Sequence, residues 1–216
     1  MRLIAELNEE VKYVTEARED GKKELFIEGI FMMAEEPNKN KRVYPLPILQ
    51  REAQRYVKEY VNKNRAYGEL GHPEGPTINL ERVCLMTKEL RQEGSNFFGR
   101  AKITDTPYGN IVRNLINEGA SLGVSTRGLG SLTKNKDGIN VVQDDFYLAT
   151  AADVVADPSA PNAFVHGIME NKEWVFVNGR WTEQNIDESR AEIKKASSKD
   201  LEKVKLKIFE NFINRL

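Results

Sequence analysis

The hydrophobic pattern is strand-like over most of the first 180 residues and turns helical in a few places. Residues 24–34 are rich in Phe and Ile, which predicts a strand or a pair of short strands. The polar stretch Pro37-Asn38-Lys39-Asn40-Lys41-Arg42 follows as a loop of turn formers and cations. Pro45 and Pro47 then stand where a helix can start. Leu49, Ala53, Tyr56, Val57 and Tyr60 recur at three- and four-residue spacing, which predicts an amphipathic helix from 48 to about 62. Residues 81–104 read as two strands joined around Gln92-Glu93-Gly94-Ser95. After them Thr106 is placed to cap a helix that begins at Pro107, buries Ile111, Val112, Leu115 and Ile116, and ends at Gly119.

Strands are predicted again at 121–132 and 138–155, linked by Asn135-Lys136-Asp137-Gly138, where Asp-Gly is a hairpin cue. Residues 174–181 form a short hairpin candidate with Asn178-Gly179 at its bend. This describes an α+β body, mainly β with two or three helices. Near residue 182 aromatics and glycines give way to charged helix formers, so the chain divides into a body, 1–181, and a charged helical tail, 182–216. In the tail Leu201, Val204, Ile208, Phe209, Phe212, Ile213 and Leu216 line one helical face, with Ser197 or Ser198 as its cap. Such a stripe packs on the body, binds a partner, or is removed with the tail.

Composition narrows the class. The 216 residues allow a real core, and 40% apolar with 30% charged residues describes a soluble globular chain. With 32 basic and 33 acidic side chains the net charge is −1, which gives no footprint of nucleic-acid binding. No apolar run approaches the roughly 18 residues of a membrane span. The opening Met1-Arg2-Leu3-Ile4-Ala5-Glu6 turns acidic too early for a secretory signal, so a reducing cytoplasm is expected. Cys84 reads as a small buried hydrophobe, and it has no second cysteine to pair with. One cysteine and two histidines, His72 and His166, supply no metal-ligand spacing, and no cofactor is expected.

Two segments carry candidate chemistry. In Tyr67-Gly68-Glu69-Leu70-Gly71-His72-Pro73, Pro73 biases His72 to extended backbone and Gly71 leaves space beside it, so the imidazole sits on a constrained bend. An imidazole base at neutral pH must be one of two residues here, and His166 in Phe164-Val165-His166-Gly167 lacks that frame. In Ser121-Leu122-Gly123-Val124-Ser125-Thr126-Arg127-Gly128-Leu129-Gly130-Ser131, strand alternation places Leu122 and Val124 on one face and Ser121, Gly123, Ser125 and Arg127 on the other. Small neighbours clear an approach to the Ser125 hydroxyl, which becomes nucleophilic with His72 in reach. Gly128 and Gly130 are expected to shape a turn whose N–H groups face an oxyanion, with Arg127 adding positive potential. Asp153, after the apolar and small-residue run 146–152, is the favoured third member, with Asp157 and His166 as competitors.

The chain resembles the prohead core proteases of T-even bacteriophages. The matching residues are Phe26-Ile27-Glu28-Gly29-Ile30-Phe31, Asn38-Lys39-Asn40-Lys41-Arg42-Val43-Tyr44-Pro45, Gly68-Glu69-Leu70-Gly71-His72-Pro73, Gly123 through Leu132, and Asp157-Pro158-Ser159-Ala160-Pro161-Asn162-Ala163, together spanning about residues 24 to 165. The resemblance implies a mostly antiparallel β-barrel surrounded by helices, like the herpesvirus assembly proteases. It gives His72 the base role and Ser125 the nucleophile role, and no cofactor. The herpesvirus relatives use a second histidine as third member, where the comparable strand here offers Asp153.

Implied partners are the scaffold, core and major capsid proteins of the phage, cut after glutamate inside a prohead assembled in the host cytoplasm. An aliphatic residue usually stands two positions before the cut. Ile168-Met169-Glu170, Ile186-Asp187-Glu188 and Ile208-Phe209-Glu210 fit that pattern and suggest self-cleavage after Glu170, Glu188 or Glu210. Glutamate recognition calls for a cation, with Arg127, Arg42 and Lys41 as candidates. A homo-oligomer is expected. Two rivals are a noncatalytic head-assembly protein on the same fold and an unrelated esterase, although no G-x-S-x-G elbow is present.

Overall fold

The computed structural model describes residues 2–8, 11–17, 23–38, 40–71, 73, 75–156, 173–177, 180–184, 194 and 203–207. Along the chain these form β1 (Arg2–Asn8), β2 (Val11–Ala17), β3 (Lys23–Met33), β4 (Arg42–Val43), α1 (Leu46–Glu59), β5 (Tyr67–Glu69), β6 (Val83–Glu93), β7 (Asn96–Ile103), α2 (Pro107–Asn117), β8 (Leu122–Gly130), β9 (Leu132–Lys134), β10 (Asn140–Val142), β11 (Tyr147–Ala156), β12 (Glu173–Val177) and β13 (Arg180–Gln184). The strands build three sheets, ordered β11-β8-β1-β12-β13, β4-β10-β9 and β2-β3-β7-β6-β5. The fold is mixed α+β and mostly strand, but the described residues form no closed barrel. Among the described residues a bridge between Leu70 and Val154 joins the edges of the two large sheets. Elsewhere Tyr13 of β2 ties them through its hydroxyl, which donates to the Leu122 carbonyl at 2.6 Å and accepts from the Leu122 N–H at 2.8 Å. The ladders on both sides of the seam are bulged, β11 against β8 and β6 against β5. Bulges bend strands and interrupt continuous pairing.

Helix α1 follows its sequence signal. Leu49, Ala53 and Tyr56 are buried, and Pro47 lies in the first turn. Glu52 is also buried, between apolar positions. Its carboxylate accepts from the Leu148 N–H at 3.0 Å, while Arg55 Nη2 donates to the Leu148 carbonyl at 2.6 Å. β11 is the outer strand of its sheet, and its outward backbone groups need partners. The helix supplies them at Leu148, and Gly71 supplies one further along, its N–H donating to the Val154 carbonyl at 2.7 Å.

Helix α2 starts as expected, with Thr106 Oγ1 accepting from the Gly109 N–H at 3.2 Å, and ends at Gly119, whose φ is +85°. Its stripe differs from expectation. Val112 is fully buried, but Ile111 and Leu115 are 45% and 40% exposed. Gly109 faces inward instead, and a Cβ there would lie 2.0 Å from the Thr104 carbonyl oxygen. The strand expected over 138–155 is two strands, because Gln143, Asp144 and Asp145 turn the chain and Asp145 accepts from Ser131. Of the tail, residues 203–207 are helical and Leu206 is exposed. The rest of the expected stripe lies outside the described residues.

Candidate active site

β8 runs between β1 and β11 and is buried along its whole length. Ser125 sits at its centre, 1% exposed, opposite Leu7 on one side and Asp153 on the other. Directly opposed residues of an antiparallel pair project to the same face, and so do residues two apart on one strand. Ser125, Arg127 and Asp153 therefore share a face. Two register shifts place extra residues in β11 here. Thr150 opposes Arg127 while Asp153 opposes Ser125, so three steps of β11 match two of β8. Without that bulge Asp153 would fall out of register with the serine. The Ser125 hydroxyl donates to the Thr126 carbonyl at 3.5 Å, the outer limit of a hydrogen bond, and is left weakly held.

The other candidate segment arrives on β5. Gly68 makes the approach possible, since a Cβ there would lie 1.9 Å from the Ala152 carbonyl oxygen and 2.6 Å from Leu85 Cδ1. Leu70 then bridges Val154, and the Gly71 N–H is bonded to the Val154 carbonyl. Gly71 has φ +82°, in the left-handed region that favours glycine. His72 lies outside the described residues, but the residue before it is fixed beside the residue after Asp153.

Asp153 is fully buried and its carboxylate is engaged. Arg127 Nε donates to Oδ2 at 2.5 Å and Nη2 to Oδ1 at 3.2 Å, and the Glu69 N–H donates to Oδ1 at 2.8 Å. Burial pushes the Asp153 carboxyl up to about 6, against the pull of Arg127 and these hydrogen bonds. Arg127 is itself fully buried, and its remaining donors reach the Gly75 carbonyl at 2.6 Å and Glu69 Oε1 at 3.4 Å. A guanidinium held this way is not open to an external carboxylate. Glu69, also fully buried, accepts from the Asn79 N–H at 2.8 Å. Its Oε2 lies 3.8 Å from Arg82 Nε, and Arg82 Nη2 donates to the Leu70 carbonyl at 2.7 Å.

The glycines after Ser125 depart from expectation. Gly128 and Gly130 lie within β8 rather than at a turn, and Gly128 pairs with Ile4 and Leu148. A Cβ at Gly128 would fall 2.4 Å from the Phe146 ring, so the glycine there admits an aromatic side chain. Arg42 is placed in β4, in the three-stranded sheet rather than beside Ser125. Lys41 is exposed with φ +54°. Cys84 is a buried free thiol pushed up to about 12 by its surroundings, an unreactive state at neutral pH. Asp157, His166, Glu170, Glu188 and Glu210 lie outside the described residues.

Sequence reasoning missed Glu69 and Arg82. The available signal was a carboxylate inside an otherwise apolar and glycine-rich strand end, which requires a buried cation if it faces inward. Among the described residues no group of three or more His, Cys, Asp or Glu side chains is arranged to hold a metal ion. No helix among them is long and apolar enough to cross a membrane.

Residues 5–173 match the family described as prohead core protein serine protease. The chain is 39% identical over 144 residues to the prohead core protein protease of Enterobacteria phage T4, covering 65% of this chain and 68% of that protein. Its fold is similar to the solved structure of the bacteriophage T4 capsid assembly protease, with a TM-score of 0.69 and 31% identity over 73% of this chain and 98% of that one.

Proposed function

The chain belongs to the prohead core protein serine protease family, and from that premise we propose that it is a serine endopeptidase of phage head assembly. Its substrates are the scaffold, core and major capsid proteins, cut after glutamate inside the prohead, and the chain itself. Ser125 Oγ attacks the scissile carbonyl. The His72 imidazole takes the hydroxyl proton and returns it to the leaving amine. The Asp153 carboxylate orients that imidazole and stabilises its cationic form.

One observation carries this reading: β11 collects all three chain segments. Asp153 opposes Ser125 across the β8–β11 ladder, and Gly71, next to His72, is bonded to Val154, next to Asp153. The Asp153 carboxylate also has room for one more donor. An ionised carboxylate offers about four lone-pair sites, and the described residues supply three donors. Asp157 and His166 are the alternatives for this role. With Arg127 enclosed, Arg42 and Lys41 are the other candidate cations for a substrate glutamate.

The same proposal covers kinship in fold with the herpesvirus assembly proteases, a protease domain at 1–181 with a charged tail at 182–216, and assembly into a homo-oligomer in the prohead. Burial of Ser125 supports a latent precursor. Cleavage after Glu170 is compatible with an intact site, because among the described residues β12 joins β1 through one register pair, Arg2 with Glu173, whereas β1 pairs β8 from Arg2–Gly130 to Asn8–Val124. Glu188 and Glu210 are the further self-cleavage positions.

Peptides with an aliphatic residue two before glutamate, and their glutamine counterparts, test the reading with purified chain. Cleavage after glutamate that disappears in Ser125→Ala is expected, together with fragments ending at Glu170, Glu188 or Glu210 in wild type alone. Cleavage that survives in Ser125→Ala removes the serine mechanism. Absence of peptide cleavage under all conditions favours the noncatalytic head-assembly role, and hydrolysis of simple esters alone favours the esterase.

A further inference from the structure

A fully buried arginine and two fully buried carboxylates lie beside the serine, an expensive arrangement unless each charge is held by partners. All three Arg127 nitrogens are occupied, by Asp153, by Glu69 and by the Gly75 carbonyl. These partners belong to β11, to β5 and to the segment that follows His72. Arg82 holds the other side of that segment through the Leu70 carbonyl, and a Cβ at Gly71 would lie 3.3 Å from Arg82 Nη2.

Resting on the Ser125, His72 and Asp153 reading, we propose that Arg127 and Glu69 are a pair of positioning residues. They fix the Asp153 carboxylate behind the imidazole and clamp both ends of the segment that carries it, and neither touches substrate. Arg127 takes two of the described donor positions on Asp153 and leaves an acceptor site on Oδ2 for the imidazole N–H. Glu69 contributes in two ways. Its N–H holds Asp153 Oδ1, and its side chain keeps Arg127 Nη2 and the Asn79 N–H in place. Among the described residues the ionisable groups facing Asp153 are Arg127 from β8, Glu69 from β5, Tyr56 from α1 and Cys84 from β6. Of these Arg127 is the cation, so its removal takes away the opposite charge that offsets burial of the carboxylate.

Carboxyl-carbon NMR of the full chain labelled at aspartate, with Asp153 assigned through Asp153→Asn, follows this group without turnover. The Asp153 midpoint is expected to rise by about one pH unit or more in Arg127→Gln and to fall in Glu69→Gln, since one loses an opposite charge and the other a like charge. On the glutamate peptide, Arg127→Gln is expected to lose about 10- to 100-fold in kcat with KM changed less than about twofold. Its acid limb moves up in pH, and Arg127→Lys recovers part of the loss. A general loss of stability does not move the two midpoints in opposite directions. Should Arg127→Gln fail to fold, Arg127→Lys and Glu69→Gln provide the comparison. Unmoved midpoints, or an Arg127 variant with normal kcat and raised KM, overturn the proposal. Failure of the underlying serine reading looks different: turnover is then equal in wild type and Ser125→Ala, whatever the midpoints do.

Discussion

Asp153 sets stability and activity against each other. Its carboxyl is raised to about 6 in the folded chain, mainly by burial. The folded state therefore holds this proton more tightly than the unfolded state does. The associated stabilisation is complete below the ordinary carboxylate value and is lost as pH rises through about 6, at no more than about 1.4 kcal/mol per pH unit. Orienting a histidine requires the charged form, so activity rises over the same window. Asp153→Asn is expected to lower kcat by about 10³-fold or more, yet to gain stability relative to wild type between pH 5 and pH 7. Thermal denaturation of both proteins at the two pH values checks the sign, and a constant difference excludes the raised carboxyl. Ser125 and Asp153 were legible as residue types because a small-residue strand and an acid at an apolar strand end are unusual in fold-building sequence. The occupation of Arg127 was not. A guanidinium two positions from a serine has the same sequence signature whether it meets a substrate or a buried carboxylate, and the partners Glu69 and Gly75 are more than 50 positions away.

At the scale of elements, the approach of β5 to β11 determines whether the histidine segment meets the serine strand. Gly68 is the contact point, with no room for a methyl group against the Ala152 carbonyl. Gly68→Ala is expected to cost about 1–3 kcal/mol as overpacking. Kinetics are expected to suffer more, because displacement by about 1 Å can cost about 10²-fold in rate. Measured kcat at a temperature well below the melting point separates the two, and a variant with lowered Tm but wild-type kcat shows that the seam does not position the site. Helices α1 and α2 and the hairpins at Gly94 and Gly138 were legible because their caps and turn residues are local. Strands β1 and β2 were not recognised. β1 pairs with β8, which is more than 100 positions away, and a local window gives no sign of such a partner. The bulges in β11 were equally invisible, since they depend on register with β8.

At the scale of the molecule, the described residues form two large open sheets joined at a bulged seam and a small third sheet, where the resemblance implied a β-barrel. Among the described residues the β12–β13 hairpin pairs with β1 at one register position, so a chain ending at Glu170 should keep the β11-β8-β1 core. That shortened chain is expected to unfold cooperatively within a few degrees of the full chain. It is also expected to cut the glutamate peptide at least as fast as the full chain, because Ser125, His72 and Asp153 all precede the cut. Loss of cooperative unfolding removes the self-cleavage scheme at Glu170 while leaving the site intact as a proposal. The claim beneath the whole account is that the Ser125 oxygen is activated by the His72 imidazole. Peptide mapping of the active chain after reaction with a fluorophosphonate tests it most directly. One phosphonylated residue is expected, Ser125, with labelling that collapses in His72→Ala. A modification found on another residue, or labelling of Ser125 at an unchanged rate in His72→Ala, contradicts it.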